Sequence, residues 1–135
     1  MLSAKSPFKL SVTGEFINYL LDVLEPLGVI RHRRLFGGAG LYYDGKQFAI
    51  LMDNRLYLVT DDTTRSSFER HGMLPFSYQT KRGRVLLKRY YEVPEDVMAD
   101  PALLPVWARH AVNVASASAP AGRKRGKFVA GFGVT

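Results

Sequence analysis

The sequence predicts an α+β domain, a single antiparallel sheet with helices packed on one face. Three observations carry this. A helix-spaced apolar stripe near the N-terminus gives way at once to four extended runs joined by very short turns. A helix, a second hairpin and a last helix follow. Connections of two or three residues force neighbouring strands to run antiparallel.

Thr13 is placed to cap the first helix, with Glu15 favourable in its first turn and Phe16, Leu20, Val23, Leu24 and Leu27 on one face. Pro26 and Gly28 end it near Glu25. The extended runs cover about 29–36, 39–44, 46–53 and 55–60. Asp44-Gly45 is a strong two-residue hairpin signal and Asp53-Asn54 a weaker one. Asp61 or Asp62 then caps a short helix, Thr63 to His71, closed by Gly72. Strands at about 75–81 and 83–92 meet near Lys81-Arg82-Gly83. The last helix is expected to open around Asp100-Pro101, with Pro105 delaying or kinking its first turn. Its expected apolar stripe is Leu103, Trp107, Ala111 and Val114, with Trp107 as the anchor. The element order is α-β-β-β-β-α-β-β-α, with five to six strands.

At 135 residues the chain has one domain's length. Residues 1–12 read as a flexible lead, 13–116 as the folded domain, and 117–135 as a basic low-complexity tail expected to be disordered. Phe128, Val129, Phe132 and Val134 are apolar islands within that tail. With no cysteine, disulfides, thiolate metal sites and a cysteine nucleophile are excluded. The first residues lack a hydrophobic signal core and no apolar run approaches ~18 residues, so a soluble cytoplasmic protein without membrane contact is expected.

The net charge of +7 points toward nucleic acid only if it lies on the folded body. Residues 13–112 hold 13 Lys and Arg against 12 Asp and Glu. Most of the excess sits at the ends, notably on Arg123, Lys124, Arg125 and Lys127, which are the candidate contacts for weak nonspecific nucleic-acid binding. The alternative to a protein-interaction module is a nucleic-acid-binding accessory protein that uses this tail and the strand-borne Arg33, Arg34, Arg84 and Lys88.

Little in the sequence points to catalysis. Gly40 to Gln47 nearly matches a phosphate-binding loop, but Gln47 replaces the magnesium-binding hydroxyl and Lys46 leads into a strand. Gly38 and Gly40 lack the third glycine and the βαβ unit of a dinucleotide fingerprint. His32, His71 and His110 have no ligand-type spacing, and the pairs Asp61/Asp62 and Glu95/Asp96 stand where helices begin. No catalytic, cofactor or metal residue is assigned. What stands out is basic and aromatic. On the last strand Val85, Leu87, Tyr91 and Val93 share one face, and Arg84, Leu86, Lys88 and Tyr90 the other. Arg84, Lys88, Tyr90 and Tyr43 form the candidate interaction surface, with tyrosines supplying rigid contact area.

The segment Arg33-Arg34-Leu35-Phe36-Gly37-Gly38-Ala39-Gly40-Leu41-Tyr42-Tyr43 reads as a glycine-centred turn between strands. Taken with Glu25-Pro26-Leu27-Gly28, Asp44-Gly45, Pro75-Phe76-Ser77-Tyr78, Tyr90-Tyr91-Glu92-Val93-Pro94 and Trp107-Ala108-Arg109, it resembles the N-terminal domain of the TfoX/Sxy family of competence regulators. Leu35 stands where that family usually has Met, and the likeness covers roughly 13 to 115. Arg33, Arg34, Phe36, Gly37, Gly38, Gly40 and Tyr42 carry the family motif. The resemblance implies a non-enzymatic, two-layer domain that regulates competence (DNA transformation) genes through protein contacts. Its implied partners are transcription machinery or the catabolite activator protein, and a homodimer is compatible with it. Family regulators also carry a second helical domain, which the stretch after Trp107 is too short to hold.

Overall fold

The computed structural model describes residues 12–35 and 37–122. The chain forms α1 (Gly14–Val23), a 3-10 turn (Glu25–Leu27), β1 (Ile30–Leu35), β2 (Gly38–Tyr43), β3 (Lys46–Met52) and β4 (Arg55–Val59). There follow α2 (Asp62–Arg70), β5 (Pro75–Thr80), β6 (Gly83–Glu92), α3 (Glu95–Met98) and α4 (Leu104–Gly122). The strands make one six-stranded sheet in the order β1-β2-β3-β4-β6-β5, antiparallel throughout. The expected fold class and element order hold, with α3 added.

Both short turns have the left-handed backbone their residues suit. Asp44 and Gly45 have φ of 54° and 78°, and Asp53 and Asn54 have 56° and 55°. Two successive positive φ values match the twist of the flanking strands. Asn54 serves twice, because its Oδ1 accepts from the Thr13 N–H at 3.0 Å and its Nδ2 donates to Thr13 Oγ1 at 3.4 Å, the same hydroxyl oxygen that accepts from Phe16 N–H at 3.1 Å. The β3–β4 turn thus fixes the start of α1. On α2, Asp61 accepts from Thr64 N–H at 2.8 Å and Thr64 Oγ1 accepts in return from Asp61 N–H at 3.0 Å. That reciprocal box satisfies donors the helix cannot pair itself, and it holds the Asp61 carboxyl below its ordinary range.

The core lies between the sheet and α4. Ala39 and Leu41 of β2, Ala49 and Leu51 of β3, and Leu56 and Leu58 of β4 share one face by register and are essentially inaccessible. On α4 the buried set is Leu104, Ala108, Ala111, Val112, Val114 and Ala115, while Leu103 is exposed and Trp107 half-buried. Of the expected stripe, Ala111 and Val114 are buried as expected, whereas Leu104 and Ala108 take the inward places expected of Leu103 and Trp107. Small side chains at 108, 111 and 115 bring the helix backbone close to β3 and β4. The helix begins at Leu104, not at Asp100. Asp100 Oδ1 caps the preceding turn by accepting from the Ala102 and Leu103 N–H groups. Pro105 thus sits in the first turn, where no amide donor is needed. At its far end α4 reaches Gly122, beyond the expected tail boundary at 117.

β6 changes partner along its length. Pro75 pairs with Tyr91 and Phe76 with Leu87, so Lys88, Arg89 and Tyr90 fall within the shift between the two registers. There the strand turns to β4: Tyr90 pairs with Val59, and the Arg89 carbonyl accepts from both the N–H and the hydroxyl of Thr60. Such an irregularity bends a strand. The bend brings Phe76 over the sheet face opposite α4, its ring 4.9 Å from Tyr57 in an edge-on contact.

Candidate functional site

The glycine motif is a packing device. Of its three glycines only Gly37 lies in the β1–β2 turn, with φ +82°, as expected of at least one. Gly38 and Gly40 are buried inside β2, contrary to the expectation that all three serve the turn. A β-carbon on Gly38 would stand 2.5 Å from the Leu51 carbonyl oxygen and 2.8 Å from Met52 Cε. On Gly40 it would stand 2.8 Å from Gln47 Nε2 and 3.2 Å from Tyr42 Cε1. Both glycines leave space that side chains from β3 occupy.

A register shift sets this up. Leu41 pairs with Ala49 and Tyr42 with Gln47, so Phe48 is the extra residue and Gln47 emerges beside Gly40 and Tyr42. Gln47 is 9% exposed; its Nε2 donates to the Ala49 carbonyl at 3.2 Å, and its Oε1 has no partner among the described residues. Sequence reasoning missed Gln47 and Met52. The available signal was glycine in mid-strand, which marks a close approach by something else.

Tyr90 leaves the expected interaction surface. The shift along β6 turns it inward to 6% exposure, and burial pushes its hydroxyl up to about 12, with Arg89 opposing and Tyr42 adding to the rise. Regular alternation would have kept it beside Arg84 and Lys88. Those two are exposed on the outer side of the β5–β6 hairpin with Leu86 between them, and Arg84 donates to Ser77 Oγ at 2.7 Å. Tyr43, at the far end of β2, is partly buried against Gly28. The four residues do not form one surface. Arg33 and Arg34 are exposed on edge strand β1, Arg34 donating to the Val12 carbonyl at 2.7 Å. Phe36, Arg123, Lys124, Arg125 and Lys127 lie outside the described residues.

The second feature is a cleft of about 240 Å³ between α2 and α4, lined by Thr63, Thr64, Ser67, Phe68, Trp107 and His110 among others. Trp107 meets the Phe68 ring edge-on at 4.9 Å and the His71 ring at 5.4 Å, anchoring α4 to α2. His71 Nδ1 lies 2.8 Å from the Ser67 carbonyl, a satisfied position at the end of α2. His32 is exposed on β1. Among the described residues no three His, Asp or Glu side chains group to hold a metal ion, and no helix is long and apolar enough to cross a membrane.

The TfoX N-terminal domain family matches residues 22–115. The chain belongs to that family. It is similar to Protein Sxy of Escherichia coli (strain K12), 29% identical over 94 residues, covering 70% of this chain and 44% of the relative. It is also similar to DNA transformation protein TfoX1 of Aliivibrio fischeri, 29% identical over 83 residues, covering 62% of this chain and 39% of that one. The matched stretch therefore spans less than half the length of either relative.

Proposed function

We propose that this TfoX N-terminal domain is a non-enzymatic cytoplasmic regulator of DNA-transformation genes, acting by contact with a protein partner of the transcription machinery such as the catabolite activator protein. The observation that carries the reading is at the start of α4. Leu103, in the turn before the helix, and Val106, in its first turn, are 38% and 48% exposed beside the half-buried Trp107. Aliphatic side chains held at a helix start beside an aromatic anchor have the make-up of an interface centre. Asp100 and the acids of α3 precede them in the chain and supply a polar rim. The name of one relative, DNA transformation protein TfoX1, supports this reading.

The test is transcript measurement in the native host carrying the parent chain or a Leu103→Ser/Val106→Ser variant. Loss of induction of DNA-uptake genes, with the melting temperature unchanged, supports the reading. Full induction by the variant, or no change on deleting the gene, refutes it.

A further inference from the structure

The near-neutral body conceals a division of charge. Residues 30–60 and 75–92, the strands with their turns, carry ten Lys and Arg against three Asp and Glu, a net of +7. The helical stretches 13–29, 61–74 and 93–112 carry nine acids against three bases, a net of −6. All nine of those carboxylates are exposed, and so are nine of the ten strand cations. The sum of about +1, which argued against nucleic acid, is a difference between two opposed sides.

The fold keeps the two sides apart. α4 covers one face of the sheet, and α2 joins it there through the Trp107–Phe68 contact. The β5–β6 hairpin curls over the other face, fixed by Phe76 on Tyr57, and turns Arg84 and Lys88 outward. On β1, Arg31 pairs with Tyr42 and Arg33 with Gly40, so both lie on that same face, away from α4. Two strips of cations result, one on each flank of the strand side.

We propose that the strand side binds the phosphate backbone of duplex nucleic acid without reading its sequence. β1 and the β5–β6 hairpin lie on opposite sides of the three central strands. Cations on two separate flanks can engage phosphates of both strands of a duplex, across a groove. A single acidic peptide strand would engage only one strip. Among the described residues no helix stands on this side to enter a major groove, so the contacts position the protein and leave the bases unread. The acidic helices are repelled by the same phosphates, which orients the domain with α4 and the exposed Leu103 and Val106 directed away from the duplex.

The experiment is fluorescence anisotropy of a labelled duplex titrated with the full chain across a salt series, with melting curves confirming that each variant is folded. Arg31→Gln/Arg33→Gln and Arg84→Gln/Lys88→Gln should each lower the slope of log K against log salt by about 1.8, at ~0.9 per phosphate contact. A duplex of scrambled sequence should bind equally well, and Glu95→Gln/Asp96→Gln should leave the slope unchanged. A variant with Arg123, Lys124, Arg125 and Lys127 all changed to Gln should keep the strand-dependent part. The proposal is overturned if both strand variants bind as the parent does, if the tail variant abolishes binding, or if the full chain fails to bind at low salt while binding an acidic peptide. Leu103→Ser/Val106→Ser should bind duplex as the parent does, so failure here is distinct from failure of the protein-partner reading.

Discussion

The Gln47 amide lies across Gly40, its nitrogen 2.8 Å from where a β-carbon would stand. Gly38 bears a similar relation to Met52, but there the nearest obstacle is the Leu51 carbonyl oxygen at 2.5 Å. A side-chain tip can move aside, whereas a backbone carbonyl in the middle of a ladder cannot. Gly38→Ala should therefore lower stability more than Gly40→Ala, the first by roughly 2–3 kcal/mol and the second by about 1. Thermal melts of the two variants check the order. Gln47→Ala combined with Gly40→Ala should recover part of the second loss; equal losses without recovery would contradict the packing account.

Gln47 Oε1 is buried with no partner among the described residues, so removing it should be tolerated. Gln47→Met keeps the length, gives up the bond to the Ala49 carbonyl and relieves an unsatisfied acceptor, effects of similar size and opposite sign. Stability within about 1 kcal/mol of the parent is expected in a denaturant titration. Gln47→Glu, which places a charge there, should be clearly destabilising.

Trp107 is half-buried between Phe68 and His71. Trp107→Ala should cost roughly 2–3 kcal/mol, below the ~3–5 of a fully buried aromatic. Trp107→Phe keeps the edge contact with Phe68 and should recover at least half. A Trp107→Ala protein melting with the parent would show that α2 does not depend on this contact.

Tyr90 makes stability depend on alkaline pH. Its folded-state value, about 12, exceeds the ordinary 10.0 because burial disfavours the phenolate. The folded protein then holds a proton the unfolded chain releases. That contribution is fully present below pH 10 and is lost as pH rises from 10 through about 12. At ~1.36 kcal/mol per unit the loss is roughly 3 kcal/mol. Denaturation midpoints at pH 9 to 12 should fall less steeply in Tyr90→Phe than in the parent; parallel curves would mean the hydroxyl titrates normally.

Much of this was legible in the sequence. Asp44-Gly45 and Asp53-Asn54 announced their turns because few residue pairs accept two positive φ values in succession. The meander followed from them, and capping residues located α1 and α2. Two register shifts were not legible. Nothing local to Leu41-Tyr42 or Lys88-Arg89-Tyr90 signals that a residue will be skipped, because a shift depends on what the partner strand presents. Each shift moved the residues that matter: Gln47 came to lie over Gly40, and Tyr90 moved from the expected surface into the interior. The opposition of charge was invisible for a related reason. A sum along the chain cannot show that strands and helices face opposite ways.

β6 belongs to two neighbours in turn, and this divides the domain. Its C-terminal part is locked into the central ladder beside β4, whereas its N-terminal part is held by β5 and by ring contacts such as Phe76 on Tyr57. Lys88 to Tyr90 form the corner at which the strand leaves one ladder for the other. A substitution in the hairpin beyond that corner acts on the ring contacts beneath it, whereas one at Tyr91 or Glu92 acts on the central ladder.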